Sequence, residues 1–217
     1  MVRTRLHPLR GGHYFSMTEF ASALGGARRG TGPGASPRAV LFDRDGTLVA
    51  DVPYNTDPCR VTPLPTVVAT VRMLREAGVP VGVVTNQSGV GRGLITPEQL
   101  RAVDDAIDRE IGPFDVWAVC PHRPDAGCMC RKPRPGLIFA AAAALGVAAC
   151  DTVVIGDIGA DMDAAAAAGA GSVLVPTPVT REEEIATAPR VACDLADAVH
   201  QAFTGTPLPA MPTGVAP

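Results

Sequence analysis

The chain has 217 residues, which is long enough for one domain of ordinary size with a full hydrophobic core. Its formal net charge is −3, so the overall charge gives no reason to expect a nucleic acid or a membrane surface as the main partner. No apolar run reaches membrane-spanning length, and the N-terminus lacks a signal-peptide core. We therefore predict a soluble, cytoplasmic protein.

The first 37 residues differ in composition from the rest of the chain. They contain five arginines against one acidic residue, Glu19, and end in a Gly/Pro-rich run. A short helix at residues 14–24 is one expectation, but a poorly ordered basic arm at 1–37, or a translation start placed too early, accounts better for the whole stretch. An arm that contacts nucleic acid is a weaker alternative. Residues 204–217 are rich in Pro and Gly and are predicted to fray, which leaves 38–203 as the folded domain.

Apolar runs that predict strands alternate with segments that predict helices. The predicted strands are Ala39–Phe42, Val79–Val84, Phe114–Val119, Thr152–Ile155 and Ser172–Val175. The predicted helices lie at 67–74, 97–111, 135–146, 160–168, 181–187 and 194–203. Thr96 and Gln99 have the spacing of a capping box at the start of the second helix. This alternation predicts an α/β fold, a doubly wound and mostly parallel sheet with helices on both faces.

Two acidic residues follow the first predicted strand. Asp43 and Asp45 are one residue apart, and residues i and i+2 of an extended segment face the same side. Gly46 lets the backbone turn directly after them. Two crowded carboxylates repel each other unless a cation or a shared proton lies between them, and Mg²⁺ prefers oxygen ligands. The pattern therefore indicates a Mg²⁺ site, with a polar turn after a core strand as the alternative.

Polar residues follow other predicted strands as well. Thr85, a Cys/His-rich loop and Asp157 each come directly after one of them. Ligands of open parallel sheets bind beyond the C-terminal ends of the strands. We therefore expect these side chains to converge with those of Asp43 and Asp45.

Three cysteines and one histidine lie within eleven residues, and they are Cys120, His122, Cys128 and Cys130. Zinc binds such a set as a closed tetrahedron, and four protein ligands leave no open position. We therefore predict a structural zinc that stiffens the loop before Arg131 and Lys132. Free cysteines or an adventitious disulfide are the alternatives. The other three cysteines, at 59, 150 and 193, are expected to pack as small apolar residues.

Four motifs, in chain order, resemble the four motifs of the haloacid dehalogenase superfamily. They are Asp43-Arg44-Asp45-Gly46-Thr47, Thr85-Asn86-Gln87-Ser88-Gly89, Arg131-Lys132-Pro133, and Gly156-Asp157 with Asp161 four residues later. The resemblance covers roughly residues 38–176. It implies a Rossmann-like core. No large cap domain fits, because core elements use up the intervals before Thr85 and before Lys132.

The resemblance implies a phosphatase with an aspartyl nucleophile. Asp43 would form an aspartyl-phosphate, and Asp45 would protonate the leaving alkoxide and then activate the attacking water. Thr85 would donate its hydroxyl to a phosphoryl oxygen, and Lys132 would supply a fixed positive charge.

The same resemblance implies how a catalytic Mg²⁺ is held. Its ligands would be the Asp43 and Asp157 carboxylates and the backbone carbonyl of Asp45. Asp161 would orient its surroundings rather than bind the metal.

The Cys/His loop resembles a zinc-bearing branch of the superfamily that contains the heptose 1,7-bisphosphate phosphatases and the histidinol-phosphate phosphatases. Thr85–Gly89 followed by Arg92 and Gly93 is closer to the heptose enzymes, whereas the five-residue gap between His122 and Cys128 is closer to the histidinol enzymes. Matched to the heptose enzymes, the substrate contacts would be Asp51, Tyr54, Thr85, Asn86, Gln87, Ser88, Arg131 and Lys132.

These observations predict a Mg²⁺-dependent phosphatase of a small phosphorylated sugar, most like heptose 1,7-bisphosphate. Histidinol phosphate is the alternative substrate. A polynucleotide 3′-phosphatase is a third reading, against which the zinc loop and the acidic balance argue. A non-catalytic phosphosugar-binding or scaffold protein is the alternative from another class, although every expected catalytic position is filled.

Overall fold

A single mixed sheet organises the computed structural model, which describes residues 2–4, 13–15 and 36–206. Its strands are β1 (Val2–Thr4), β2 (His13–Phe15), β3 (Ala39–Phe42), β4 (Val81–Asn86), β5 (Val116–Cys120), β6 (Thr152–Gly156) and β7 (Gly171–Leu174). The strand order is β2-β1-β5-β4-β3-β6-β7. Strands β3 to β7 form a parallel sheet, and β1 and β2 add antiparallel strands at its β5 edge. The predicted mostly parallel α/β sheet is confirmed.

Seven α-helices connect or follow these strands in the described part of the chain. They are α1 (Val67–Glu76), α2 (Ser88–Gly91), α3 (Pro97–Glu110), α4 (Gly136–Ala144), α5 (Gly159–Ala168), α6 (Glu182–Thr187) and α7 (Leu195–Thr204). Thr96 Oγ1 accepts from the Gln99 N–H at 3.2 Å and Gln99 Oε1 accepts from the Thr96 N–H at 2.9 Å, so the predicted capping box forms. Within residues 36–206 no large cap domain interrupts the sheet, as predicted.

The sheet is buried on both faces because side chains alternate along each strand. In β3, Val40 and Phe42 pack with helices α1, α3 and α7, whereas Leu41 packs with α4 and α5 on the opposite face. Helices α4 and α5 present mainly alanines to the sheet, which lets them approach it closely. Helices on both faces make the fold doubly wound.

The structure differs from the sequence prediction at the N-terminus. Val2–Thr4 pairs with β5 and His13–Phe15 pairs with Val2–Thr4, so these residues join the sheet instead of an arm. The helix predicted at 14–24 is wrong for residues 14 and 15, which are extended. The edge of β5 offers unpaired backbone groups, and aromatic and β-branched residues favour strand pairing there. The rest of 1–37, and 207–217, lie outside the described residues, so the predictions for them stay predictions.

Two boundaries near the sheet's C-terminal edge also differ. The predicted strand Val79–Val84 lies two residues further on, at Val81–Asn86, because Thr85 and Asn86 continue the pairing with β5. The segment directly after Gln87, which the sequence analysis assigned to no element, forms the single helical turn α2. No helix in the described ranges combines the length and apolar character that crossing a bilayer requires. The cytoplasmic location stays a prediction.

Candidate functional site

The candidate site lies where three parallel strands end side by side. Asp43 follows β3 directly, Thr85 lies near the end of β4, and Asp157 follows β6. The Asp43 N–H donates to the Ile155 carbonyl at 2.9 Å, which keeps Asp43 in register with β6. Carboxylate oxygens of Asp43, Asp157 and Asp161 all lie within 4.8 Å of one another. The sheet therefore brings acids from two distant segments into one buried cluster.

A buried lysine neutralises part of this cluster. Lys132 Nζ donates to Asp43 Oδ1 at 2.7 Å, to Asp161 Oδ1 at 2.5 Å and to the Val84 carbonyl at 2.8 Å. Burial lowers the pKa of Lys132, but the carboxylates of Asp161 and Asp43 outweigh it and raise that pKa above its ordinary value. Lys132 is therefore a fixed positive charge beside Asp43.

The remaining negative charge makes the cluster fit a divalent cation. Burial, together with the nearby Asp161 and Asp45 carboxylates, raises the pKa of Asp43 to about 7 despite the opposing effect of Lys132. Burial and the neighbouring Asp43 and Asp161 carboxylates raise the pKa of Asp157 to about 8. A hard cation between these two carboxylates would offset their repulsion and desolvation.

Asp161 is less free to act as a ligand. Its Oδ1 accepts from Lys132 and its Oδ2 accepts from the Ile158 N–H at 3.3 Å. Asp43 and Asp157 are therefore the carboxylates best able to hold a metal, and Asp161 holds Lys132 and the start of α5.

Gly46 allows Asp157 to reach the cluster. Its φ is +80°, and a Cβ built at this position would overlap Asp157 Oδ2. We expect Gly46→Ala to lower the free energy of unfolding by about 2 kcal/mol or more and to lower the activity of this site, because the Asp157 carboxylate must move. Gly78→Ala is the matched control, since Gly78 has a φ of +72° but nothing near its Cβ position. Equal losses of activity in both variants would contradict this role for Gly46.

Two side chains hold the Asp45 carboxylate. Arg44 Nε donates to Asp45 Oδ1 and Oδ2 at 3.2 and 3.1 Å, and Arg44 Nη2 lies 3.0 Å from Oδ2. Gln87 Nε2 donates to Asp45 Oδ2 at 2.7 Å and to Thr85 Oγ1 at 3.0 Å. Because its oxygen accepts from Gln87, the Thr85 hydroxyl is oriented to donate its proton elsewhere.

Two further predicted substrate contacts, Asn86 and Gln87, have partners within the protein. Asn86 Nδ2 donates to the Lys132 carbonyl and Asn86 Oδ1 accepts from the Lys132 N–H, both at 3.1 Å. Gln87 is buried against Asp45 and Thr85. Asn86 and Gln87 therefore position other residues of the site, and Ser88 is half-buried at the start of α2.

The other predicted contacts lie in more open surroundings. Tyr54 is 46% exposed, has a φ of 52°, and its ring packs beside Gly89. Partial burial and the nearby Asp45 raise the pKa of Asp51, which is exposed. Arg131 has a buried Nη1 with no hydrogen-bond partner. An unsatisfied buried donor calls for a partner from outside the chain.

The Cys/His loop (residues 120–130) gathers its four predicted ligands. Cys120 Sγ lies 3.7 Å from Cys128 Sγ, 3.4 Å from Cys130 Sγ and 3.5 Å from His122 Nδ1, and His122 Nδ1 lies 3.2 Å from Cys130 Sγ. A tetrahedron with metal–sulfur bonds of about 2.3 Å has edges of about 3.8 Å, so the set fits zinc.

All six cysteines lie among the described residues and none forms a disulfide. Hydrogen bonding from Cys130 lowers the pKa of the Cys120 thiol, and the same contact raises the pKa of Cys130. The prediction that the three other cysteines pack inside is wrong, since all three are exposed. Cys59 follows a proline, and Cys150 and Cys193 lie at helix and turn boundaries on the surface.

The sequence patterns assigned no role to two residues of this region, Arg44 and Asp104. Arg44 is 2% exposed and links Asp45 to Asp104, with Nη1 donating to Asp104 Oδ1 at 2.8 Å. Asp104 lies on the core-facing stripe of α3 beside Val103 and Ile107. A charged residue on an apolar stripe is a signal that could have pointed to it.

Comparison with known proteins identifies the family. A family model described as HAD-hydrolase-like matches residues 129–202. The D-glycero-beta-D-manno-heptose-1,7-bisphosphate 7-phosphatase of Yersinia pestis is 37% identical over 162 residues, which cover 68% of this chain and 86% of that protein. This chain is a phosphatase of the haloacid dehalogenase superfamily.

Solved structures of the superfamily have the same fold. The D,D-heptose 1,7-bisphosphate phosphatase of B. bronchiseptica, complexed with magnesium and phosphate, has a TM-score of 0.67 and 32% identity, and the match covers 76% of this chain and 97% of that chain. The D,D-heptose 1,7-bisphosphate phosphatase of Burkholderia thailandensis has a TM-score of 0.56 and 26% identity, with 76% and 97% covered. This haloacid dehalogenase phosphatase therefore resembles them over nearly their whole length.

Proposed function

We propose that this phosphatase hydrolyses a sugar phosphate monoester in a Mg²⁺-dependent reaction, through a phosphoryl group transferred to Asp43. The observation that carries the proposal is the position of the Asp43 carboxylate, 2.7 Å from Lys132 Nζ and beside Asp157, at the open end of the parallel sheet. A phosphate monoester resists attack because its oxygens are negative, so a site must neutralise them and hold a nucleophile in line.

The chain's own residues supply most of that environment. Lys132 supplies a fixed positive charge beside the phosphoryl group, and the Thr85 hydroxyl donates to a phosphoryl oxygen. The Asp43 and Asp157 carboxylates and the backbone carbonyl of Asp45 would hold Mg²⁺, which would supply further positive charge beside the phosphoryl oxygens. Its fit to this site is supported by the raised pKa values of the two carboxylates.

The reaction then proceeds in two steps. An Asp43 carboxylate oxygen bonds to phosphorus, the bond to the sugar oxygen breaks, and Asp45 gives its proton to that leaving oxygen. Asp45 next takes a proton from water, whose oxygen bonds to phosphorus as the bond to Asp43 breaks. Phosphate leaves, and both acids return to their starting states.

Heptose 1,7-bisphosphate is the first substrate to test, since relatives of 37% identity are named for it. The proposed substrate contacts are Arg131, whose Nη1 has no partner, the exposed Asp51 and Tyr54, and the half-buried Ser88. The short gap between His122 and Cys128 makes histidinol phosphate the second candidate.

A panel of phosphate esters tests the choice. We expect kcat/KM for heptose 1,7-bisphosphate to exceed that for histidinol phosphate and for a 3′-phosphorylated oligonucleotide by at least about 100-fold, roughly 3 kcal/mol of differential transition-state binding. Initial rates of phosphate release with Mg²⁺ measure it. A preference for histidinol phosphate would move the assignment to the second candidate, and inertness toward every ester would overturn the proposal.

We also propose that the Cys/His loop holds a structural zinc. Its role is to fix Arg131 and Lys132, which follow Cys130 directly. Cys128→Ser is expected to lose the metal and to lower kcat about 10-fold or more, because small displacements of a positioning charge are costly. Metal analysis and kcat are measured together, with Cys150→Ser as the control at an exposed cysteine outside the loop. Protein that is free of zinc as purified without chelator, yet fully active, would contradict this role.

A further inference from the structure

An ion-pair chain connects Asp45 to helix α3. The Arg44 guanidinium contacts the Asp45 carboxylate through Nε and Nη2, and its Nη1 donates to Asp104 Oδ1 at 2.8 Å. Arg44 is 2% exposed and Asp104 is 4% exposed. The guanidinium is planar and rigid, so the position of Asp104 fixes the angle at which Arg44 meets Asp45.

A purely structural role explains the ion pairs between Asp45, Arg44 and Asp104 poorly. Asp104 interrupts the apolar stripe of α3, where Val103 and Ile107 face the core. Desolvating a buried ion pair is costly, and well-packed apolar residues of similar volume usually stabilise a fold as well or better. The buried pair of Arg44 and Asp104 is explained if its role is to hold Asp45, whose side chain is 25% exposed.

The contacts also distinguish the two oxygens of Asp45. Oδ2 accepts from Gln87 at 2.7 Å and from two Arg44 nitrogens at 3.0 and 3.1 Å. Oδ1 accepts from Arg44 Nε at 3.2 Å, a longer contact than any of those that Oδ2 makes. Oδ1 is therefore the oxygen with room to carry a proton toward a bound ester.

We propose that Asp104 is a positioning residue for Asp45, acting through Arg44, so that Asp45 Oδ1 faces the leaving oxygen of the substrate. This inference rests on the proposed function, in which Asp45 is the proton donor. Helix α3, which contains Asp104, would thus take part in the chemistry although none of the four sequence motifs includes it.

Leaving-group dependence tests the proposal. A sugar alkoxide needs a proton to depart, whereas nitrophenolate departs without one, so misplacing Asp45 damages sugar phosphate hydrolysis selectively. We expect Asp104→Asn and Arg44→Lys each to lower the ratio of kcat/KM on the sugar bisphosphate to kcat/KM on p-nitrophenyl phosphate by about 10-fold. Asp45→Asn should lower the same ratio further.

A neighbouring acid on the same helix supplies the control. Asp108 is buried and accepts from the Phe114 N–H at 2.9 Å and from Trp117 Nε1 at 3.2 Å. Asp108→Asn should reduce thermal stability and leave the ratio unchanged. In the Asp45→Asn background, adding Asp104→Asn should lower the ratio no further, because both changes act through one group.

The outcomes separate this inference from the proposed function. The positioning role is overturned if the ratio is unchanged in both Asp104→Asn and Arg44→Lys, or if the effects of Asp104→Asn and Asp45→Asn on the ratio are fully additive. In that case the proposed function still stands, provided that the wild type is active and Asp43→Asn is inactive. A wild-type protein inert on every ester, or an active Asp43→Asn, overturns both. Circular dichroism and thermal melts verify that the Asp104→Asn, Arg44→Lys and Asp43→Asn variants are folded.

Discussion

Asp43→Asn should abolish phosphate release, with kcat falling by roughly 10⁴-fold or more. Asparagine has nearly the same shape but cannot accept a phosphoryl group as a carboxylate does. The fold should survive, because burial already disfavours the charge of Asp43 and raises its pKa to about 7. Loss of that charge should leave the metal-free melting temperature unchanged or higher.

The measurement is phosphate release at saturating substrate, with a thermal melt of the same preparation. Asp163→Asn is the matched control, because Asp163 is an exposed acid on α5 close in sequence to the site. Its kcat should equal that of the wild type. A folded Asp43→Asn variant that keeps even a few per cent of activity would remove Asp43 from the nucleophile's role.

Mg²⁺ should raise the melting temperature strongly at pH 8 and weakly at pH 5. Burial and mutual repulsion raise the pKa of Asp43 to about 7 and that of Asp157 to about 8, above their values in the unfolded chain. Between about pH 4 and 8 the metal-free folded state therefore holds more protons than the unfolded state, and its stability falls as pH rises through this range. Mg²⁺ offsets this loss where the carboxylates are ionised.

The size of the shift follows from linkage. A ligand at about 100 times its Kd adds about 2.7 kcal/mol, which corresponds to about 5–10 °C for a domain of this size. At pH 5 protons compete for both carboxylates, so the shift should be a small fraction of that. Asp157→Asn should lose the shift at pH 8. Equal shifts at both pH values, or none at pH 8, would contradict the assignment of these two carboxylates as the metal site.

The local parts of the site could be predicted from the sequence because strand exits are visible there. Asp43, Thr85 and Asp157 each follow an apolar run, and parallel strands end at one edge of the sheet. The Cys/His loop could be predicted from its ligand spacing alone. These features depend on residues that are neighbours in sequence, so short patterns contain them.

Contacts between distant segments could not be predicted in this way. Arg44 and Asp104 are sixty residues apart, and their ion pair forms only when α3 packs on the sheet. Resemblance placed Asn86 and Gln87 near the substrate, but their amides turn toward Lys132 and Asp45, which only the folded geometry reveals. The pairing of Val2–Thr4 with β5 is likewise a non-local event at a sheet edge.

The transfer of a phosphoryl group to a carboxylate has a direct stereochemical signature. Hydrolysis of a substrate whose phosphorus is chiral by oxygen isotopes reports whether one or two displacements occur there. Attack by Asp43 followed by attack by water predicts net retention of configuration at phosphorus. Net inversion would mean that water attacks the ester directly, and no arrangement of Asp43, Lys132 and Asp157 as proposed above could then stand.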